Sequence, residues 1–139
     1  MESREFKPFG SVSALTLGGG GIGNVWGETS KDESIASVHL ALESGIDHLD
    51  VAPMYGKGEA ERVVGEAIKE RSRDSFRLTT KCALGSMPDE EVYDRFNTSL
   101  IRSLDTMGTD YVDLFLLHSQ LIENDHESQK PDSSFVATG

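Results

Sequence analysis

The sequence has 139 residues, enough for one domain with a hydrophobic core, and a formal net charge of −11 that opposes binding to nucleic acid or to an anionic membrane. No apolar run approaches the ~20 residues that cross a bilayer, and residues 1–5 lack the pattern of a signal peptide. The single cysteine, Cys82, excludes an intrachain disulfide and indicates a reducing compartment, so we expect a cytoplasmic protein without membrane or nucleic-acid partners.

Strand and helix signals alternate from the start of the chain. Residues 1–11 predict a short hairpin or lid, and residues 12–17 predict the first strand. The first helix begins with a capping box, in which Ser30 is the N-cap and Glu33 is the third helical residue, and Gly45 ends it.

The same alternation continues to residue 118. We predict strands at 46–52, 76–82 and 111–117, and helices at 59–71 and 86–107. The last strand is nearly all apolar, which is typical of a strand buried on both faces. This order predicts an α/β fold with a parallel sheet and right-handed crossovers. Because each strand ends near a polar group, the pattern favours a (β/α) barrel, whose active site lies at that face.

A glycine-rich segment, residues 18–23, contains the dinucleotide-binding pattern G-x-G-x-x-G. In a Rossmann fold the third glycine opens a helix, whereas here the first helix begins only at Ser30, so we reject that fold. We interpret the segment as a backbone that lets a ligand approach closely. Asn24 and Trp26 follow this segment and are candidates for the lining of a substrate pocket. A flexible loop without a role in binding explains these two residues equally well.

Polar side chains follow three consecutive predicted strands. Asp50, Lys81 and His118 end the strands, and Tyr55 lies on the loop after Asp50. Each residue alone has a more ordinary explanation. Asp50 could cap a helix and Tyr55 could pack in the core. Lys81 could be a solvated strand end, and His118 could be a hydrogen-bonded histidine of the core. Because the carboxyl ends of parallel strands meet at one face, the four together predict one catalytic site. No metal site is expected, since the histidines lack ligand spacing: His39, His48, His118 and His126.

These motifs resemble the aldo-keto reductase family over roughly residues 12–118. The matching segments are S-G-I-D-H-L-D-V-A-P-M-Y-G at 44–56, E-R-V-V-G-E-A at 61–67, T-T-K at 79–81 and G-T-D-Y-V-D-L at 108–114, followed by His118. Within the family, the segment G-N-V-W-G-E at 23–28 looks most like the aldose and sugar dehydrogenases.

The resemblance implies a TIM-type barrel of eight βα units, of which this chain supplies the first four. We therefore expect residues 1–118 to form the amino-terminal half of such a barrel. Residues 119–139 are polar and aperiodic, which predicts a mobile tail. A half barrel would leave two open edges, so we expect that two copies pair, that another chain completes the barrel, or that the product is unstable.

The resemblance also implies a catalytic tetrad of Asp50, Tyr55, Lys81 and His118. The implied activity is NAD(P)-dependent interconversion of an aldehyde, ketone or sugar lactol with its alcohol or lactone. A phenol is protonated at neutral pH, so Tyr55 can protonate the alkoxide that carbonyl reduction leaves. Lys81 would favour the phenolate in the reverse direction, Asp50 would hold Lys81, and His118 would orient the carbonyl.

The implied cofactor is NADP, the family's commoner choice, with NAD as the alternative. The candidate cofactor-binding residues are Gly21, Ile22, Gly23 and Asp50. In the family, however, the nicotinamide stacks on a later strand and basic residues near the end of the barrel bind the 2′-phosphate. Neither region has a counterpart here. The alternative is therefore that this chain is a truncated relative of these enzymes that lacks a full cofactor site, is catalytically silent or regulatory, and binds a partner.

Overall fold

The computed structural model describes residues 1–119 except Pro8 and Ser86. A hairpin of β1 (Ser3–Phe6) and β2 (Gly10–Ser13) precedes a parallel four-stranded sheet. In spatial order its strands are β3 (Leu17–Gly18), β4 (His48–Asp50), β5 (Arg77–Cys82) and β6 (Leu114–Leu117). The connecting helices are α1 (Lys31–Glu43), α2 (Glu59–Ile68) and α3 (Asp89–Met107).

The predicted α/β class, parallel sheet and order of elements are confirmed. So is the capping box of α1, because Ser30 Oγ accepts from the Glu33 amide and the Glu33 carboxylate accepts from the Ser30 amide. Within the described part of the chain, no helix is both long and apolar enough to cross a bilayer. The predicted tail lies outside the described residues apart from Ser119.

The prediction of one strand over residues 12–17 is wrong. The segment divides at Ser13, whose amide donates to Asp47 Oδ1 (2.8 Å) and whose hydroxyl accepts from the Asp47 amide (3.0 Å). These bonds tie the end of the hairpin to the residue just before β4. The chain then turns, and only Leu17 and Gly18 join the parallel sheet.

One face of the sheet carries the hydrophobic core. Alternate residues of β4 and β5 point to the helices and are fully buried, and the inner faces of α1 and α2 meet them. The fully buried members of this layer include Val38, Leu49, Val51, Val63, Val64 and Leu78. The opposite face therefore carries the intervening residues of each strand, among them Asp50, Thr79 and Lys81.

The expectation that the last strand is buried on both faces is also wrong. Leu116 is 40% exposed, and the other three residues of β6 are only half buried. The reason is positional: β6 is the last strand of the sheet among the described residues, so its outer edge has no neighbour there. Asp113 anchors the start of this strand to β5 by accepting from the Leu78 amide (2.8 Å) and from Arg73 (2.5 Å).

Helices α2 and α3 pack closely because α2 has a glycine at their contact. A Cβ atom added to Gly65 would lie 2.8 Å from Met107 Cα and 2.9 Å from the Met107 carbonyl oxygen. Both atoms belong to the backbone of α3, so no side-chain rotation can relieve the overlap.

We therefore expect Gly65→Ala to lower the free energy of unfolding. Overpacking costs about 1–3 kcal/mol, which exceeds the ~1 kcal/mol that alanine gains in helix propensity. Urea unfolding would measure the loss. The control is Gly18→Ala, whose added Cβ meets no atom within 4 Å. Equal or higher stability of Gly65→Ala would contradict the close contact.

Candidate active site

Lys81 and Asp50 form an ion pair across neighbouring strands. Asp50 is the last residue of β4, Lys81 is the penultimate residue of β5, and the Lys81 ammonium donates to the Asp50 carboxylate. The ammonium also donates to the Val51 carbonyl oxygen at 3.0 Å. The Lys81 side chain is only 10% exposed, against 34% for Asp50. Because an ammonium this deeply buried is costly without a partner, the ion pair with Asp50 stabilises and orients the Lys81 side chain.

Tyr55 lies over this pair. It belongs to the loop between β4 and α2, and its ring centre is 4.9 Å from Lys81 Nζ. The loop is held against the glycine-rich segment at one point of backbone contact. A Cβ on Gly56, which has φ of 61°, would lie 1.8 Å from the Gly23 carbonyl oxygen. Only glycine fits at this position, so the contact between Gly56 and Gly23 fixes the position of the loop that contains Tyr55.

His118, the residue directly after β6, is the fourth member of the cluster. Its amide donates to the Cys82 carbonyl at 2.7 Å, which extends the pairing of β6 with β5 by one residue. Its ring packs edge-on against the Tyr55 ring, with the centres 5.7 Å apart and the planes at 90°. The structure thus brings together Asp50, Tyr55, Lys81 and His118.

The environment of His118 favours a neutral ring. Burial lowers the pKa of His118 below its usual 6.5, the positive charge of Lys81 lowers it further, and Asp50 opposes both. A neutral imidazole carries one N–H donor and one acceptor. His118 Nδ1 is buried and has no hydrogen-bond partner among the described residues. A neutral His118 ring therefore has a nitrogen left to bond a bound group, either as donor or as acceptor.

The candidate cofactor residues of the glycine-rich segment differ in exposure. Gly21 is exposed, and an added Cβ there would meet no atom within 4 Å. Ile22 is 6% exposed and its side chain belongs to the hydrophobic core, so this side chain is not available to a ligand. Gly23 is buried against the Tyr55 loop. The segment therefore offers a ligand its backbone and no functional side chain.

Asn24 and Trp26 lie on the exposed loop that follows. Asn24 Oδ1 accepts from the Thr29 amide at 2.6 Å, so this side chain is used to shape the loop. Trp26 is 80% exposed, and its ring lies against Gly20, where an added Cβ would come within 2.8 Å of ring carbons. Trp26 therefore presents an open aromatic surface beside the glycine-rich segment.

Sequence reasoning missed two polar contacts of β5, one of them partly buried and the other fully buried. His48 Nε2 lies 2.7 Å from Thr79 Oγ1, and the Thr80 hydroxyl donates to Glu61 at 2.7 Å, which ties α2 to β5. The two-residue period of strands could have revealed the first, because His48 and Thr79 precede Asp50 and Lys81 by two positions. In residues 1–119 as described, no three His, Cys, Asp or Glu side chains converge as metal ligands.

A family model described as the aldo/keto reductase family matches residues 14–129. The chain is similar to the aldo-keto reductase YhdN of Bacillus subtilis (strain 168), at 39% identity over 77% of this chain and 34% of the relative. It is also similar to the NADH-specific methylglyoxal reductase of Escherichia coli (strain K12), at 31% identity over 80% and 38% of the two chains.

Among solved structures, an aldo-keto reductase from Klebsiella pneumoniae in complex with NADPH matches with a TM-score of 0.73 and 27% identity. That match covers 88% of this chain and 40% of the other. The chain therefore spans about a third to two fifths of the length of these relatives. Since the structural neighbours are TIM barrels, the predicted barrel type is confirmed, and the chain accounts for part of one.

The positive charge of Lys81 near His118 predicts a measurable titration. The His118 ring should titrate below pH 6.5, and Lys81→Met should raise its midpoint by removing the nearby positive charge. Because the pKa of His118 is lowered by folding, its contribution to stability is present above about pH 6.5 and is lost as the pH falls. NMR of the histidine ring carbons measures the titration midpoint in the wild-type protein and in Lys81→Met. The His118 signal is assigned by its absence in His118→Gln. An unchanged midpoint in Lys81→Met would contradict the arrangement.

Proposed function

The chain belongs to the aldo/keto reductase family, and we propose that its tetrad serves an NAD(P)-dependent oxidoreductase. The proposed reaction interconverts an aldehyde, ketone or sugar lactol with its alcohol or lactone. The observation that carries this proposal is the convergence of three strand ends on one cluster. Lys81 contacts Asp50, lies against the Tyr55 ring, and is close enough to His118 to shift its titration.

In the proposed reduction, Tyr55 is the general acid. Hydride addition to a carbonyl leaves an alkoxide, and the phenol hydroxyl supplies the proton that this oxygen needs. In the reverse direction Tyr55 must first lose its proton, and the positive charge of Lys81 stabilises the phenolate that remains. Asp50 acts through Lys81, because its carboxylate holds the ammonium beneath the Tyr55 ring.

His118 is the proposed carbonyl-orienting group. Its ring is neutral near pH 7 because burial lowers its pKa, so it can offer an N–H without adding a second cation beside Lys81. A donor aimed at the substrate oxygen stabilises the negative charge that develops there during hydride transfer. The edge-on contact between the His118 and Tyr55 rings supports the proposal that both groups act on the same substrate oxygen.

We propose NADP as the cofactor, with NAD as the alternative, and the residues present fit part of its site. Gly21 is exposed with open space above it, Asp50 is partly exposed, and the buried His118 Nδ1 lacks a partner among the described residues. The backbone of residues 21–23 and the side chain of Asp50 would hold the nicotinamide end. When bound, the nicotinamide supplies or accepts the hydride.

The rest of the cofactor site is proposed to come from a second copy of this chain or from another chain. β6 is the last strand of the sheet among the described residues, and its leucines are half buried or, at Leu116, exposed. Strand pairing at that edge would cover them. The negative charge continues to argue against nucleic acid and anionic membranes as partners, in keeping with a cytoplasmic enzyme.

Tyr55→Phe tests the proposed general acid. Turnover should fall by a factor of about 10²–10⁴, because the ring stays and only the transferable proton is lost. NADPH affinity should stay unchanged. The assay is NADPH oxidation by the purified protein with an aldehyde substrate, and Tyr93→Phe is the matched control because Tyr93 is 77% exposed on α3. Full turnover in Tyr55→Phe would remove Tyr55 from this role.

A catalytically silent or regulatory role is the alternative, and the partly exposed edge strand β6 favours it by offering a surface to a partner. It predicts a folded wild-type chain that oxidises no NADPH with any carbonyl, together with capture of a partner through the open edge at β6. The same turnover assay therefore separates the two functions.

A further inference from the structure

A second side-chain contact joins β4 and β5 directly below the Lys81–Asp50 pair. His48 Nε2 lies 2.7 Å from Thr79 Oγ1, and His48 Nδ1 lies 3.4 Å from Thr16 Oγ1. Because side chains alternate along a strand, His48 shares a face with Asp50, and Thr79 shares a face with Lys81. The two contacts therefore form successive layers on one face of the same two strands.

This lower layer is polar at a level where barrels of this type usually carry branched apolar side chains. Thr79 is 1% exposed and His48 is half buried. A buried hydrogen bond between a hydroxyl and an imidazole is directional, so it restricts the two side chains more than an apolar contact would. Lys81 depends on that restriction because its ammonium must reach both Asp50 and the Val51 carbonyl.

Burial favours the neutral form of the His48 ring, and most of the charges around it oppose this effect. Burial is the largest effect and lowers the pKa of His48, and Arg77 at the start of β5 lowers it further. Three carboxylates oppose this: Asp50 on β4, Asp47 just before it, and Asp113 just before β6. On acidification the ring would become a cation that attracts Asp50 and so competes with Lys81 for this carboxylate.

We propose that His48 is a positioning residue: its neutral ring, bonded to Thr79, sets the spacing of β4 and β5 that Lys81 needs, and its protonation loosens the Lys81–Asp50 pair. The structural part of this inference stands on the contacts alone. Its consequence for turnover rests on the proposed function, through the dependence of Tyr55 on Lys81.

The first test needs no catalysis. In protein labelled with ¹³C-lysine, the Lys81 side-chain signal is identified by its absence in Lys81→Arg. His118 also titrates near Lys81, so the comparison is made in a His118→Gln background. Between about pH 5 and 8 the Lys81 signal should show one titration step, which His48→Gln should abolish because the amide can bond Thr79 but cannot ionise. A step that survives His48→Gln would overturn the coupling.

The second test separates positioning from charge. Thr79→Val removes the hydrogen bond and keeps both the size of the side chain and the titrating ring. We expect it to displace the Lys81 signal at all pH values and to lower kcat by about 10-fold with little change in KM for the carbonyl. His48→Leu should do the same, and His48→Gln should recover most of that loss. Unchanged Lys81 signals in Thr79→Val and His48→Leu would overturn the positioning role.

The two tests also separate this inference from the proposed function. If the wild-type protein has no turnover but its Lys81 signal responds to His48 and Thr79 as expected, the proposed function fails and the positioning role stands. If turnover is normal and the acid limb of its pH profile is the same in His48→Gln, then His48 does not govern the reaction.

Discussion

The candidate site depends on one buried positive charge. The Lys81 ammonium is almost fully removed from water, so it must be paired, and both of its partners come from the end of β4. The parallel register of β4 with β5 supplies this geometry, because Asp50 pairs with Thr79 and Lys81 lies one step further on the same face. The proposed roles of Tyr55 and His118 both depend on this charge, because Tyr55 lies against Lys81 and the charge of Lys81 lowers the pKa of His118.

Glycines set the second constraint. The loop that carries Tyr55 crosses the glycine-rich segment where any side chain on Gly56 would overlap the Gly23 carbonyl. The pattern G-x-G-x-x-G therefore serves backbone contact here, and it opens no helix. The first helix starts at Lys31, which agrees with the argument that separated this sequence from a Rossmann fold.

Local signals in the sequence were sufficient for much of the fold and of the site. The capping box at Ser30 and the placement of Asp50 and Lys81 at strand ends are short-range patterns, and both are present in the structure. The division of the first strand at Ser13 depends on hydrogen bonds to Asp47, which is distant in sequence. The exposure of Leu116 depends on what lies beyond β6, and the His48–Thr79 contact depends on the register of two strands. Such features follow from tertiary neighbours and cannot be predicted from local pattern alone.

The most direct test is a titration of the purified chain with NADPH, followed by the fluorescence of Trp26, its only tryptophan. Trp26 lies against Gly20 and next to the proposed nicotinamide-binding backbone, so binding should change its emission. N-acetyltryptophanamide provides the control for absorption of light by NADPH. The account predicts saturable quenching by a chain that circular dichroism shows to be folded. A folded chain whose Trp26 emission does not change beyond that control would contradict a nicotinamide site at these strand ends.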